Sequence, residues 1–378
     1  MRILSRQLAL ALLGLTAGCG TPVLHATSSS LSPAHSSAPT VQASPSALPP
    51  PASASATPLT PSAQLPAGDS CCVSALAVGD GSLWIAVRDA GTAGSLLRFS
   101  ETTGALEAQW PVGSSPEAIA VATGQVWVAN GPGDMSVPEV DANTVEELSA
   151  ASGQVIATYD VVDPAAVVAL SNGVLVVSMQ TPNGPTQISL LQGDGLRLTS
   201  TIDEALASAG ASAGVVAACG GQAFVAVQSP SGRQPPNVTI ERVDLASGAA
   251  TAIATVPDSG EAALACDSIA VYLALGSPDD GGIYRVDLAD DSISGPWGTS
   301  LPAGVVVSAD RLWTVGRTDG VGSPGYVACL NPQSGETCPG QAVLPPETAG
   351  SYFVALGDQA PALWIVAGGE LIEAPIGG

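Results

Sequence analysis

The chain has 378 residues, of which 11% are charged and 4% aromatic, and its formal net charge is −23. All ten basic residues are arginine, so no nucleic-acid partner is expected, because phosphate binding needs a basic footprint. The abundance of Gly, Pro, Ala, Ser and Val fits short strands joined by turns rather than long amphipathic helices, and the acidic surface favours a soluble monomer.

Residues 1–18 read as a secretory signal. Arg2 and Arg6 supply a basic start, and Leu8 to Leu15 form an apolar run too short to span a bilayer. The run ends Leu15-Thr16-Ala17-Gly18-Cys19. This resembles the lipobox of bacterial lipoproteins, with Thr16 where leucine is commonest. The resemblance implies that Cys19 becomes a diacylated, palmitate-bearing N-terminus. It also implies a cell-membrane location, lipid-anchored on the extracytoplasmic face, since two acyl chains anchor stably. Residues 19–58 are rich in Ser, Pro and Ala, with Pro49-Pro50-Pro51 near the end. Such a segment buries too little apolar surface to fold and reads as a disordered tether. Both histidines, His25 and His35, lie in it.

Residues 59–378 repeat one figure, a polar glycine turn followed by a short apolar strand. It first appears as Gly79-Asp80-Gly81-Ser82-Leu83-Trp84-Ile85-Ala86-Val87. The second apolar position is marked in turn by Trp84, Trp127, Leu175, Phe224, Tyr272, Trp313 and Trp364, at spacings of 43, 48, 49, 48, 41 and 51 residues. Repeats of roughly 40–50 residues built from short strands point to propeller blades. The predicted fold is therefore all-β, a seven-bladed β-propeller. Each blade should run as strands A to D. In blade one these are Ala75–Val78, Leu83–Val87, Ser95–Phe99 and Ala105–Trp110. Strand B is apolar at successive positions, so both of its faces must be covered.

The turn Thr102-Thr103-Gly104 before strand D recurs as Ala151-Ser152-Gly153, Ala246-Ser247-Gly248 and Gln333-Ser334-Gly335, with Ala289-Asp290-Asp291 in blade five. Glycine there supplies the positive φ of a tight hairpin. The last blade offers three strands, Tyr352–Leu356, Leu363–Ala367 and Glu370–Ala374. Upstream, Ala63-Gln64-Leu65-Pro66-Ala67-Gly68 matches the end of blade one's strand D, Ala108-Gln109-Trp110-Pro111-Val112-Gly113, at four of six positions. Residues 59–66 are thus expected to close the last blade as its outer strand.

The run Pro116-Glu117-Ala118-Ile119-Ala120-Val121, followed by Gly124-Gln125-Val126-Trp127-Val128-Ala129-Asn130, resembles the repeats of seven-bladed propellers in the streptogramin-lyase, NHL and YVTN-type group. Streptogramin lyases use a histidine as general base. The blades here contain neither histidine nor lysine, so that chemistry, a Ser-His-Asp triad and a lysine nucleophile all lack their residue. Lactonase-type propellers hold a divalent metal with Glu, Asn and Asp, and the positional candidates are Glu117, Glu261 and Asn130. A metal-dependent hydrolase or lyase of that kind is the alternative reading; the leading one, a binding module without catalysis, needs no cofactor.

Six cysteines follow Cys19, an even number in an exported domain, so disulfides are expected. Blade topology pairs Cys329 with Cys338 across one hairpin and Cys219 with Cys266 between neighbouring inner strands, leaving Cys71 and Cys72 to each other. The loops after strand B gather on the face where strand A begins. A long loop on a rigid ring is where binding belongs. Arg88, Arg317, Asn130, Gln180 and Gln228 are the ligand-binding candidates, with Arg88 and Arg317 favouring an anionic group on a protein, glycan or small molecule. The competing account pairs the two arginines with Asp89 and Asp319. A purely structural envelope component is a third reading.

Overall fold

The computed structural model describes residues 57–376, apart from 60, 67–72, 89–93, 132–142, 172, 180–184, 193–194, 203–204, 207–214, 229–236, 258–260, 278–280, 299–300, 309, 319–322, 345–351, 358–361 and 368. The strands among them form seven sheets. Two short strands come first, β1 (Thr57–Pro58) and β2 (Pro61–Gln64). Blade one is β3 (Val73–Gly79), β4 (Ser82–Val87), β5 (Gly94–Ser100) and β6 (Leu106–Val112). Blade two is β7 (Pro116–Ala122), β8 (Gln125–Asn130), β9 (Thr144–Ser149) and β10 (Val155–Asp160). Blade three is β11 (Pro164–Leu170), β12 (Gly173–Met179), β13 (Thr186–Gln192) and β14 (Gly195–Ile202). Blade four has β15 (Ala205–Leu206), β16 (Val216–Cys219), β17 (Gln222–Gln228), β18 (Val238–Val243) and β19 (Ala250–Val256). Blade five is β20 (Glu261–Cys266), β21 (Ala270–Gly276), β22 (Gly282–Asp287) and β23 (Ile293–Trp297). Blade six is β24 (Pro302–Ser308), β25 (Arg311–Arg317), β26 (Gly325–Leu330) and β27 (Thr337–Leu344), and blade seven is β28 (Phe353–Leu356), β29 (Ala362–Ala367) and β30 (Glu370–Pro375).

The seven marked residues are all core, none more than 6% exposed. Successive residues of a second strand serve opposite neighbours. In β4, Trp84 and Ala86 pack with Val126 and Val128 of blade two, whereas Leu83, Ile85 and Val87 pack with Trp364 and Val366 of blade seven. That is why this strand is apolar at every position. The register adds a pattern that is silent in the sequence. Opposite the seven marks, on the third strand, stand Arg98, Glu147, Leu190, Arg242, Arg285, Cys329 and Glu373. Two of these arginines tie one blade to the next. Arg98 lies over the Trp84 ring at 5.9 Å and donates to the Ala150 carbonyl of blade two at 2.9 Å. Arg242 meets Asp291 of blade five at 3.5 Å. Every outer strand pair also carries a bulge or register shift, which increases twist towards the rim of each blade.

The turns before the outer strands of blades one, two, four, five and six are as expected. Gly104, Gly153, Gly248 and Gly335 have φ of +64° to +75°, and Asp291 takes the place in blade five at +58°. Gly153 meets a second demand, because a Cβ there would lie 2.2 Å from the Trp110 ring of blade one. Gly153→Ala should therefore cost about 1–3 kcal/mol, from the backbone term and the displaced indole together. A denaturant midpoint unchanged from wild type would contradict that contact.

The N-terminal segment closes the ring, and it does so across two blades. β2 pairs antiparallel with β30 as the outer strand of blade seven. β1 adds to β27 in parallel as a fifth strand of blade six. Thr57 and Pro58, just ahead of the expected boundary at residue 59, thus pair within this sheet. Composition hid this, because a Thr-Pro-Leu-Thr-Pro run reads as linker. A proline is tolerated on an edge strand, which needs no donor on its outer side. Leu59 N–H donates to the Val343 carbonyl at 3.4 Å, and Leu65 N–H to that of Gly369 at 3.1 Å. Blade four departs differently. Its inner strand comes in two pieces, β15 and β16, both paired with β17. Between them the sequence inserts Ala-Ser-Ala-Gly twice, at 207–214, outside the described residues.

Two of the expected disulfides are present. Cys219–Cys266 joins the inner strands of blades four and five, with Cα atoms 5.9 Å apart, and Cys329–Cys338 crosses β26 and β27 at 5.2 Å. Cys71 and Cys72 lie outside the described residues. The first bridge closes the longer loop, 47 residues against 9. In the chain-entropy limit it contributes about 4 kcal/mol against about 3. A Cys219→Ser, Cys266→Ser variant should thus melt below a Cys329→Ser, Cys338→Ser variant; the reverse order in a thermal scan would contradict that ranking.

Candidate rim site

The ends of the second strands and the starts of the inner strands share one face of the ring. Arg88, immediately after β4, and Arg317, ending β25, stand at the same repeat position, four residues past Trp84 and Trp313. Gln228 occupies it in blade four, half-buried at the end of β17. Gln180, Asp89 and Asp319 lie outside the described residues.

Each of the two arginines reaches into the next blade. Arg88 donates through Nε to the Pro116 carbonyl at 3.4 Å and through Nη2 to the Glu117 carboxylate. Its side chain is 39% exposed and that of Glu117 18%. Arg317 lies over the Tyr352 ring, its guanidinium carbon 5.7 Å from the centroid. Glu117 is thus the described carboxylate partner of Arg88, whereas Asp89, the partner in the competing account, lies outside the described residues. The cause is geometric: alternation turns the residue after β4 towards blade two.

Glu117 sits in a bulge. Pro116 and Ala118 of β7 oppose adjacent residues of β8, and the same shift opens β3, β11 and β24. The bulged residues are Ser74, Glu117, Ala165 and Ala303, so Glu117 alone among them carries charge. Its carboxylate accepts from Ser115 Oγ at 3.3 Å. Gly131 packs against it, since a Cβ there would lie 2.8 Å from Glu117 Cγ. Burial pushes the Glu117 carboxyl above its ordinary value; Arg88 opposes this without cancelling it, and nearby Asp163 adds to the rise. Burial likewise raises the Asp163 carboxyl. Asp163 is fixed by its own N–H, which donates to Asn143 Oδ1 at 2.9 Å.

Asn130 requires a correction. It is the last residue of β8 rather than a rim residue beyond it, and it is wholly buried. Its side chain turns into the seam with blade one, against Gly113, and donates to Thr144 Oγ1 at 3.3 Å. Glu261 opens β20, three blades from Glu117. The candidate metal set is therefore not gathered: one member is held by arginine and another faces a seam. Among the described residues no three of His, Cys, Asp and Glu come together, and no helix is long and apolar enough to cross a membrane.

Sequence reasoning missed Ser115, Gly131, Asp163 and Tyr352. The usable signal was the shared position of Arg88 and Arg317 relative to the marks, because it fixes which neighbour each faces. Chemically, this rim presents a braced guanidinium, a planar fork suited to carboxylate or phosphate, beside a carboxyl of raised proton affinity.

No protein-family model matches the chain, and no curated protein matches it either. Solved structures do. BamB from Moraxella catarrhalis is similar at 16% identity over 80% of this chain and 84% of that one, with a TM-score of 0.51. The computationally designed protein Ika8 is similar at 12% identity over 83% and 100%, with a TM-score of 0.52. Hsv2 from Kluyveromyces lactis is similar at 10% identity over 79% and 90%, with a TM-score of 0.53. Likeness at these identities shows the fold alone, and with the seven sheets it establishes this chain as a seven-bladed β-propeller.

Proposed function

We propose that the protein is a lipid-anchored, extracytoplasmic interaction module with repeats of the streptogramin-lyase, NHL and YVTN-type group. In this reading Cys19 carries the anchor, residues 20–56 are the tether, and a monomeric propeller binds its partner on the rim without catalysis. The observation that carries it is the pair of arginines at one repeat position, each braced by the following blade. The strands themselves are consumed in stacking, so selectivity falls to this rim. An anionic group on a protein, glycan or small molecule suits it, with Gln228 on the same face; the Gln180 candidate lies outside the described residues. The metal-dependent alternative gains no support from Glu117, whose carboxylate is already bound by a guanidinium.

Two experiments test the two halves of the proposal. Cys19→Ala should move the protein into the soluble extracytoplasmic fraction, and retention in carbonate-washed membranes would contradict the anchor. Arg317→Ala should weaken an anionic ligand by about 1.5–3 kcal/mol, the range for hydrogen bonds to charged groups, and leave the circular dichroism spectrum unchanged. Unaltered affinity would contradict the rim assignment.

A further inference from the structure

The ion pair on the rim shows what Arg88 recognises, because a carboxylate already occupies it. We infer that Glu117 is a resident competitor: an anionic ligand takes Arg88 only by displacing the Glu117 carboxylate, and binding therefore takes up a proton.

The geometry leaves Glu117 nowhere else to go. Gly131 backs its stem, Ser115 holds one carboxylate oxygen, and Arg88 from the neighbouring blade holds the other. When a ligand carboxylate or phosphate takes over the guanidinium, Glu117 keeps its Ser115 hydrogen bond but loses its counter-charge while remaining largely shielded from water. A partly buried carboxylate without a counter-charge is costly, and it relieves that cost by accepting a proton from solvent. The charged groups that bear on it work together here: Arg88 is neutralised by the ligand, and Asp163 adds negative charge. Burial already raises its proton affinity in the free protein. The ligand has room to approach, since Arg88 is 39% exposed and only its Nε and Nη2 are engaged by described residues. The exchange balances: one anion and one proton are bound, and one internal ion pair is lost. Affinity should rise as pH falls towards the titration of Glu117.

This inference rests on the anion-binding reading of the rim, and the test separates the two. Succinate and inorganic phosphate are titrated calorimetrically into wild type and Glu117→Gln at pH 5.0 and 7.5. A third protein, Arg88→Ala with Glu117→Gln, removes the guanidinium without leaving a buried unpaired charge. Wild type should bind more tightly at pH 5.0, with heats that vary with buffer ionisation enthalpy in the sense of proton uptake. Glu117→Gln should bind about tenfold more tightly than wild type at pH 7.5 and keep only the pH dependence that comes from the probes' own titration, and the double variant should lose binding. If Glu117→Gln binds no more tightly while the double variant still loses binding, the competitor is overturned and anion binding at Arg88 stands. If neither probe binds wild type or Glu117→Gln at either pH, both are overturned.

Discussion

Deleting residues 57–66 lowers the melting temperature by on the order of 10 °C and brings aggregation, whereas deleting 22–50 leaves the melting temperature unchanged. The first deletion removes the outer strand of blade seven and the fifth strand of blade six. It also removes Leu65, 5% exposed between blades seven and one, and Leu59, partly buried against the core shared by blades six and seven. Two such leucines contribute about 4 kcal/mol. The edge of β30 is then left open to pairing with other chains. The second deletion touches only the Ser/Pro/Ala tract. A scanning calorimetry trace that is the same for both variants would contradict closure by this segment.

Arg88→Ala destabilises the fold at neutral pH by about 2 kcal/mol, whereas Glu117→Gln is close to neutral. The asymmetry follows from burial. Removing the guanidinium leaves Glu117, 18% exposed, as an unpaired carboxylate, whereas removing the carboxylate leaves a better-solvated Arg88, 39% exposed. The figure lies below the usual cost of breaking a buried pair because both partners retain some water. The sign with pH follows from the raised pKa of Glu117. Its protonated form is favoured by folding, so this stability is fully present below its unfolded value of 4.5 and is lost as pH rises through the folded value. The Arg88→Ala deficit should therefore shrink between pH 7.5 and pH 5.0. Asp244, Asp287 and Asp290 work in the opposite direction, their carboxyls held below the ordinary value by turn hydrogen bonds. Their contribution is lost only as pH falls below the usual aspartate range, outside this window. Urea midpoints for Arg88→Ala that show the same deficit at both pH values would contradict the buried-carboxylate account.

Much of this fold could be read in the sequence because the blade is a short unit repeated with a marked residue. Trp84 and its equivalents set the period, and the glycine turns set the hairpins. The two described disulfides followed from where their cysteines fall in the blade. Closure was legible in outline, from the match between residues 63–68 and 108–113. Its full extent was not, because Thr57 and Pro58 sit in a composition that signals linker. The split inner strand of blade four escaped for the opposite reason: the Ala-Ser-Ala-Gly tract carries no apolar periodicity to mark a strand on either side of it. At the rim, Arg88 and Arg317 were found as rare charges, but their partners were not. The nearest acid in sequence is Asp89, whereas the partner in space is Glu117, 29 residues on. Strand alternation and a bulge decide that pairing, and a single sequence does not show a bulge. Asn130 was misplaced by one residue, and in a strand one residue is the difference between rim and seam.

The central claim is that the rim, not the acidic molecule as a whole, selects the partner. The direct test is succinate affinity by titration calorimetry at pH 5.0 for wild type, Arg317→Ala and Arg242→Ala. Arg242 carries the same charge but is paired with Asp291 at the turns on the opposite face. Loss of affinity in Arg317→Ala with Arg242→Ala unchanged is the predicted result. Equal losses in both variants would show that charge anywhere on the molecule suffices, and would contradict the account.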